Sequence, residues 1–112
     1  MEIHSYSSKA GKDLIMEYLY SLPIEERIDG ETVIQCLKNA DFDSIKFKRW
    51  QGKIYEAYYY QHNRVFYVTA DADDLYLLHA CKKQKNKTEK KDKQKVIARA
   101  KELGQLLGKK FI

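Results

Sequence analysis

The residues best suited to acid–base chemistry and anion binding stand together near position 80. His79 closely precedes a run of lysines, Lys82-Lys83-Gln84-Lys85-Asn86-Lys87. An imidazole titrates near neutrality, so His79 can serve as a general acid or base; the alternative is a partly buried histidine that hydrogen-bonds a neighbour. Crowded lysines attract polyanions and lower each other's proton affinity, so one of them can also act as an acid or base.

The lysine run also marks a change in the charge of the chain. Residues 1–81 contain 9 Lys or Arg and 13 Asp or Glu, a net charge of −4, whereas residues 82–112 contain 12 and 3, a net charge of +9. Cations at the start of a helix oppose its dipole, so this placement is easier to explain if phosphates bind there. A solvated helix start or loop is the simpler interpretation of the lysines taken alone.

Further candidate residues precede His79. Arg64 and Lys53 open two predicted strands and are expected to approach the same groove. Arg64 suits bidentate recognition of a phosphate, although an ordinary surface charge next to a turn is the alternative. Most tyrosines of this region are expected to pack, but one or two exposed rings can stack on unpaired RNA bases. The predicted binding residues are Tyr58, Lys82, Lys85 and Lys87.

Length and composition predict one domain over residues 1–112. The chain has 112 residues and 44% hydrophobic content, which allows one modest core. No apolar run is long enough to span a membrane and the N-terminus does not resemble a signal peptide, so a soluble, cytoplasmic protein is predicted. Cys36 and Cys81 lack metal-type spacing and are predicted to be reduced thiols, although sequence leaves a disulfide open.

The spacing of apolar residues predicts two helices in the first 40 positions. Apolar residues between positions 14 and 22 follow a helical period, with an N-cap at Ser7-Ser8 and an end just before Pro23. Pro23 can open the second helix, which Asp29-Gly30 is expected to weaken or split. A short strand over residues 2–6 precedes both helices.

From position 45 the apolar period changes to two, which predicts an antiparallel meander of four strands. These strands cover residues 45–50, 54–60, 64–69 and 75–82, and a helical period returns after Thr88. The predicted fold is therefore α+β, in the order β-α-α-β-β-β-β-α, with a small antiparallel sheet, an N-terminal helical hairpin and a C-terminal helix. All three helices are expected on one sheet face. Strict alternation places His79 on the same face as Leu77 and Cys81.

Three segments of the chain resemble the RelE/HigB superfamily of toxins from type II toxin–antitoxin systems, particularly its phage-protein-like HigB branch. The resemblance is carried by Ile54-Tyr55-Glu56-Ala57-Tyr58, by Asn63-Arg64-Val65-Phe66-Tyr67, and by the segment from Leu77-Leu78-His79 through Lys82-Lys83 to Thr88-Glu89. It covers nearly the whole chain. The sequence departs from the family pattern at Tyr58, where an Arg is usual, at Gln84, where a second Lys is usual, and at Glu89, where a Pro is usual.

The resemblance implies a RelE-like fold and a metal-independent endoribonuclease. Such a toxin cleaves mRNA, commonly on the ribosome, and is neutralised by a cognate antitoxin of the helix-turn-helix type. The ribose 2′-OH attacks the adjacent phosphate, which requires a base, an acid and cations. On this basis His79 is assigned as acid or base, Arg64 and Lys83 as phosphate ligands, and Lys53 or Lys87 as a second base or phosphate contact.

Two other functions are consistent with the same residues. A ParE-like toxin of this superfamily would inhibit DNA gyrase, although the lysine-rich strand end argues modestly against it. A non-catalytic RNA- or ribosome-binding module would use the basic segment only to neutralise phosphate. No cofactor is expected, and no His, Cys and carboxylate group has the sequence spacing of a metal site.

Overall fold

The computed structural model describes residues 1–83 and 88–112. Within them, five strands and three α-helices follow one another in the predicted order, with a short 3₁₀ turn at Phe42–Ser44. The strands are β1 (Glu2–Ser5), β2 (Lys46–Gln51), β3 (Ile54–Tyr59), β4 (Asn63–Thr69) and β5 (Asp74–Lys82). The helices are α1 (Leu14–Tyr20), α2 (Ile24–Lys38) and α3 (Lys90–Leu107). The α+β class is confirmed.

Helix α1 begins later than the sequence suggested, and α2 continues without the predicted break. Asp13, not Ser7-Ser8, caps α1, because its carboxylate accepts hydrogen bonds from the backbone N–H groups of Ile15 and Met16 at 3.1 and 3.0 Å. The second helix starts after Pro23 and runs unbroken through Gly30. Gly30 is buried against Leu19 of α1 and the ring of Tyr59, and an added Cβ atom would stand 2.9 Å from Tyr59 Cε2. Close packing therefore explains why a glycine stands at this position of the helix.

The sheet has the order β1-β5-β4-β3-β2. Strands β2 to β5 form the predicted antiparallel meander. In contrast, β1 pairs in parallel with β5, with Glu2 opposite Asp74 and Ser5 opposite Leu77, so the expectation of a purely antiparallel sheet is wrong. All elements from α1 to β4 lie between β1 and β5 in the chain, so the long connection that a parallel pairing requires is present.

Helices cover both faces of the sheet, which corrects the expectation that all three share one face. Helices α1 and α2 enclose one core, which includes Leu19, Leu37 and Tyr67. Helix α3 packs Val96 and Ala100 against the opposite face, where Phe66 and Val68 are fully buried. Strands β4 and β5 are apolar on both faces, and each apolar face must be covered.

A β-bulge in β5 decides the direction of His79. Phe66 pairs with His79 and the next residue, Tyr67, pairs with Leu77, so Leu78 is the extra residue. Leu77 packs beneath α1 and α2, whereas Leu78 and His79 both lie on the α3 face. The expected grouping of His79 with Leu77 is therefore wrong.

The cysteines are free thiols, as predicted. Cys81 is buried on the α3 face, and burial raises the pKa of its thiol to about 12. Among the helices of the described residues, none combines the length and the apolar character that crossing a membrane requires.

Candidate functional site

A cluster of charged and aromatic side chains occupies one end of the α3 face. It consists of Glu56 and Tyr58 from β3, Arg64 from β4 and Lys83, which directly follows β5; we call it the Arg64 cluster. Strand register brings these residues together, because Tyr58 pairs with Arg64 and Glu56 pairs with Phe66. Alternation along each strand then places their side chains on the same face as Phe66.

Arg64 is held from two sides. Its guanidinium lies 4.2 Å from the centroid of the Tyr58 ring, and its Nη1 donates to the backbone carbonyls of Gln61 and Asn63 at 3.0 and 2.9 Å. The side chain is only 6% exposed, and its buried Nε has no hydrogen-bond partner among the described residues. A fixed cation with an unsatisfied donor is suited to bind an anion.

Lys83 and Glu56 form a buried ion pair. The Lys83 ammonium lies 2.9 Å from Glu56 Oε1 and 2.7 Å from Oε2, although only the first contact has hydrogen-bond geometry. Glu56 is fully buried and Lys83 is 4% exposed. The Lys83 backbone N–H donates to the His62 carbonyl at 2.7 Å, which attaches the end of β5 to the β3–β4 turn. The backbone bond positions Lys83 at the cluster, and Glu56 holds its ammonium there.

Lys48 of β2 forms the exposed rim of the cluster. Its ammonium lies 3.4 Å from Glu56 Oε1 and 5.7 Å from the centroid of the Tyr58 ring. A hydrogen bond with Tyr58, followed by the charge of Glu56, raises the pKa of Lys48. Burial raises the pKa of the Tyr58 phenol, so this hydroxyl is protonated at neutral pH. The cluster therefore offers cations, a carboxylate and a phenolic proton at one place.

His79 has both ring nitrogens engaged. Nδ1 accepts a hydrogen bond from Arg99 Nη1 at 3.1 Å, since a guanidinium can only donate, so Nε2 carries the proton and donates to Asp92 Oδ1 at 2.8 Å. Burial, opposed by Asp92, lowers the pKa of His79 below its ordinary value of 6.5. This neutral, 7% exposed ring connects β5 to α3. The geometry of His79 therefore matches a buried histidine that hydrogen-bonds its neighbours more closely than a histidine free to act as an acid or base.

One group with metal-binding atoms exists on this face although sequence spacing did not indicate it. His79, Cys81 and Asp92 bring their nitrogen, sulfur and oxygen atoms within 4.8 Å of one another. Both ring nitrogens of His79 are already engaged, because Arg99 donates to Nδ1 and Nε2 donates to Asp92. A neutral imidazole that accepts at Nδ1 has no lone pair at Nε2 for a metal. Hydrogen bonding accounts for this group.

The structure brings only some of the predicted residues together. Arg64, Lys83 and Tyr58 meet in the Arg64 cluster, and His79 lies on the same face. Lys53 precedes β3 at the end opposite Tyr58, and its backbone N–H donates to the Phe111 carbonyl at 2.7 Å. The expected convergence of Lys53 with Arg64 is therefore not observed. Lys85 and Lys87 lie outside the described residues.

Lys82 faces away from Lys83 and belongs to a second polar group beneath α1 and α2. Its ammonium lies 2.9 Å from Glu26 Oε1 and is half exposed. Glu26 also accepts a hydrogen bond from Asn63 Nδ2 at 2.8 Å, and the Tyr18 hydroxyl donates to Asn63 Oδ1 at 2.7 Å. The bonds from Asn63 and Lys82 lower the pKa of Glu26. This group ties α1 and α2 to the β3–β4 turn.

Several functional candidates were missed in the sequence. Glu56 stood inside a motif of the family resemblance without an assigned role, and Asp92 was not among the candidate residues. A lone carboxylate inside the apolar strand Ile54–Tyr59 was the available signal for Glu56, since such a group must find a cation. Arg99 and Lys48 carried no comparable signal, because each is one of many charges in its element.

The fold defines a class of protein, namely an α+β domain with a RelE-like fold. A family model described as "Phage derived protein Gp49-like (DUF891)" matches residues 17–101. The chain therefore belongs to the Gp49-like family, which is of the RelE toxin type. No curated protein matches the sequence.

Family membership confirms that the chain belongs to the toxin-like superfamily it resembles in sequence. The protein is toxin-like, and an antitoxin partner follows from the family.

Proposed function

We propose that the protein is the toxin of a type II toxin–antitoxin system and a HigB-like endoribonuclease that cleaves mRNA, in association with the ribosome, at the Arg64 cluster. The observation that carries this proposal is the immobilised Arg64 guanidinium, whose buried Nε lacks a hydrogen-bond partner among the described residues. Its Nη1 is held by two carbonyls and its plane by the Tyr58 ring. A scissile phosphate would supply the missing acceptor.

The other residues of the cluster supply the remaining requirements of RNA cleavage. The 2′-OH oxygen attacks phosphorus, the P–O5′ bond breaks, and a 2′,3′-cyclic phosphate and a 5′-hydroxyl result. Arg64 and Lys83 offset the charge that accumulates on the phosphate oxygens. Glu56 accepts the 2′-OH proton, and the protonated Tyr58 hydroxyl supplies a proton to the leaving oxygen. In this scheme His79 positions the start of α3 through Asp92, and no metal takes part.

A second candidate is non-catalytic RNA binding, and burial is the observation that favours it. Glu56, Lys83 and Arg64 are between 0% and 6% exposed, so a substrate must gain access to groups that are largely enclosed. Gyrase inhibition, as in ParE-like toxins, has no supporting contact within the described residues. Both alternatives predict that no RNA is cut.

Induced expression followed by primer extension on translated mRNA tests the proposal. The wild-type chain should arrest growth and produce discrete cuts. Arg64→Ala should abolish the cuts, and Arg64→Lys should restore little, because an ammonium keeps the charge but not the planar fork. Arg27→Ala is the matched control, since Arg27 lies on α2 across the sheet and pairs with Glu31 at 3.0 Å. Full cleavage by Arg64→Ala would overturn the assignment.

Tyr58 separates stacking from proton transfer. Tyr58→Phe keeps the ring beneath Arg64 but removes the hydroxyl, so RNA binding should persist while the cleavage rate falls by about 10²–10⁴-fold. Tyr58→Ala should weaken both binding and cleavage, because Arg64 loses its support. Equal cleavage by wild type and Tyr58→Phe would exclude the hydroxyl from the reaction. RNA that is bound but never cut by the wild type would support the non-catalytic alternative.

A further inference from the structure

Strand β2 is an open edge of the sheet. Within the described residues it pairs with β3 alone, so the backbone groups along its outer side are available to another strand. All of its first four residues are exposed: Lys46, Phe47, Lys48 and Arg49. An additional strand would lie about 4.8 Å away and use main-chain hydrogen bonds. The edge therefore has the geometry to bind an extended segment.

The charge of this edge selects the kind of segment. The strand sequence Lys-Phe-Lys-Arg-Trp-Gln contains three cations and no carboxylate. A second copy of β2 would bring the same cations opposite each other, which is unfavourable. Lysines on an edge strand are a common protection against such self-pairing. They remain favourable opposite an acidic strand, so charge complementarity points to an acidic partner.

An aromatic cavity lies beside the same edge, on the face opposite the Arg64 cluster. Phe42, Phe47, Tyr55, Tyr67 and Thr69 line an open space of about 280 Å³. Neighbouring ring centroids along this series are 6.0, 6.1 and 5.9 Å apart, from Phe42 through Phe47 and Tyr55 to Tyr67. Phe47 is 40% exposed. The cavity is suited to an apolar side chain.

Strand alternation relates these two features. Lys46 and Lys48 point to one face and Phe47 points to the other, because successive side chains alternate. A strand added alongside β2 would place two side chains near the lysines and the side chain between them near Phe47. We propose that β2 docks an extended protein segment with an acidic–apolar–acidic pattern, which adds a sixth strand to the sheet. This pattern reads the same in both chain directions, and the proposal is independent of RNA cleavage.

NMR titration of the full-length, ¹⁵N-labelled chain tests this docking. The probe is a capped synthetic peptide, Thr-Glu-Val-Glu-Leu-Glu-Val-Glu-Thr, and the control peptide has Lys in place of every Glu. The acidic peptide should shift the backbone amides of residues 46–51 and slow their hydrogen exchange. The affinity of the Lys peptide should be lower by a factor of at least about ten. Absence of shifts in β2, or equal binding of both peptides, would overturn the proposal.

Exposed variants make the test specific. Lys46→Glu should weaken binding of the acidic peptide and strengthen that of the Lys peptide, while Lys9→Glu, the matched control, should change neither. Phe47→Ala should weaken binding of the acidic peptide without reversing the preference for acidic over basic peptides. Hexauridylate provides the nucleic-acid comparison. RNA contacts at Lys48, on the rim of the Arg64 cluster, can shift these amides without adding a strand. If hexauridylate slows the hydrogen exchange of residues 46–51 as strongly as the acidic peptide does, the edge recognises RNA and the proposal fails.

Discussion

At the scale of single residues, the Glu56–Lys83 ion pair couples the proposed chemistry to stability. Both side chains are removed from water, so each depends on the other for charge compensation. We expect Lys83→Met to lower the free energy of unfolding by about 3–5 kcal/mol, because a buried carboxylate is left without its main partner. Urea denaturation followed by circular dichroism measures this loss.

The double variant Glu56→Gln/Lys83→Met separates the ion pair from general packing. It removes both charges, so it should be more stable than Lys83→Met while remaining inactive on RNA. The favourable coupling energy should appear in a double-mutant cycle with the two single variants. A double variant no more stable than Lys83→Met would show that lost packing, not an uncompensated charge, causes the damage.

His79 makes folding stability depend on pH in a defined direction. Its folded-state pKa is lowered, mainly by burial, whereas the unfolded chain takes up a proton near pH 6.5. Below that pH the unfolded state binds more protons than the folded state. The contribution of His79 is therefore present above pH 6.5 and is lost as the pH falls from 6.5 toward the folded-state pKa. Melting temperatures measured across this interval should decrease with acidification.

Two histidine variants isolate this contribution. His79→Gln removes the titrating group and should flatten the part of the pH profile that His79 causes, at the cost of the bonds to Asp92 and Arg99. His62→Gln changes an exposed histidine in the β3–β4 turn and should leave the profile as it is. If His79→Gln retains the wild-type slope below pH 6.5, other groups are responsible for it.

At the scale of elements, α2 depends on close contact at Gly30. An added Cβ would meet the Leu19 side chain and the Tyr59 ring, so α2 would have to move away from α1 and β3. Gly30→Ala should destabilise the fold by about 1–3 kcal/mol, although alanine has the higher helix propensity. Thr32→Ala, on the exposed side of the same helix, should be neutral or stabilising. A more stable Gly30→Ala would show that the contact relaxes easily.

Local patterns predicted the individual elements better than their arrangement. The predicted strands 54–60 and 64–69 are within one residue of β3 and β4, because alternation and turn residues determine such strands locally. The side of the sheet that α3 covers depends on the path of the chain after β5, and no local pattern encodes that path. The parallel pairing of β1 likewise joins residues about 72 positions apart in the chain, as Glu2 and Asp74 are, so no local pattern predicts it.

The candidate site was partly predictable for the same reason. Arg64 and Lys83 stood at strand ends, where the sequence already favoured an anion site. Glu56 could be assigned to the site only from the strand register, which brings it next to Lys83. The direction of His79 needed the bulge at Leu78, and an ordinary leucine gives no signal of a bulge.

At the scale of the whole molecule, the sheet separates two helical layers of opposite charge. Helices α1 and α2 together carry 5 acidic and 2 basic residues, a net charge of −3, whereas α3 carries 6 basic and 2 acidic residues, a net charge of +4. The Arg64 cluster lies on the α3 side. An anionic polymer is therefore attracted to the face that contains the proposed site and repelled from the other.

The opposite charges of the two helical layers predict that RNA binding depends on where the lysines lie as well as on the total charge. Lys91→Gln/Lys93→Gln and Lys9→Gln/Lys38→Gln each remove two exposed cations, the first pair from α3 and the second from outside it. In fluorescence anisotropy with a single-stranded oligoribonucleotide, the α3 variant should weaken binding. It should also reduce the slope of log affinity against log salt by up to about 0.7 per lysine. Equal losses in both variants would mean that net charge, rather than the α3 face, attracts the RNA.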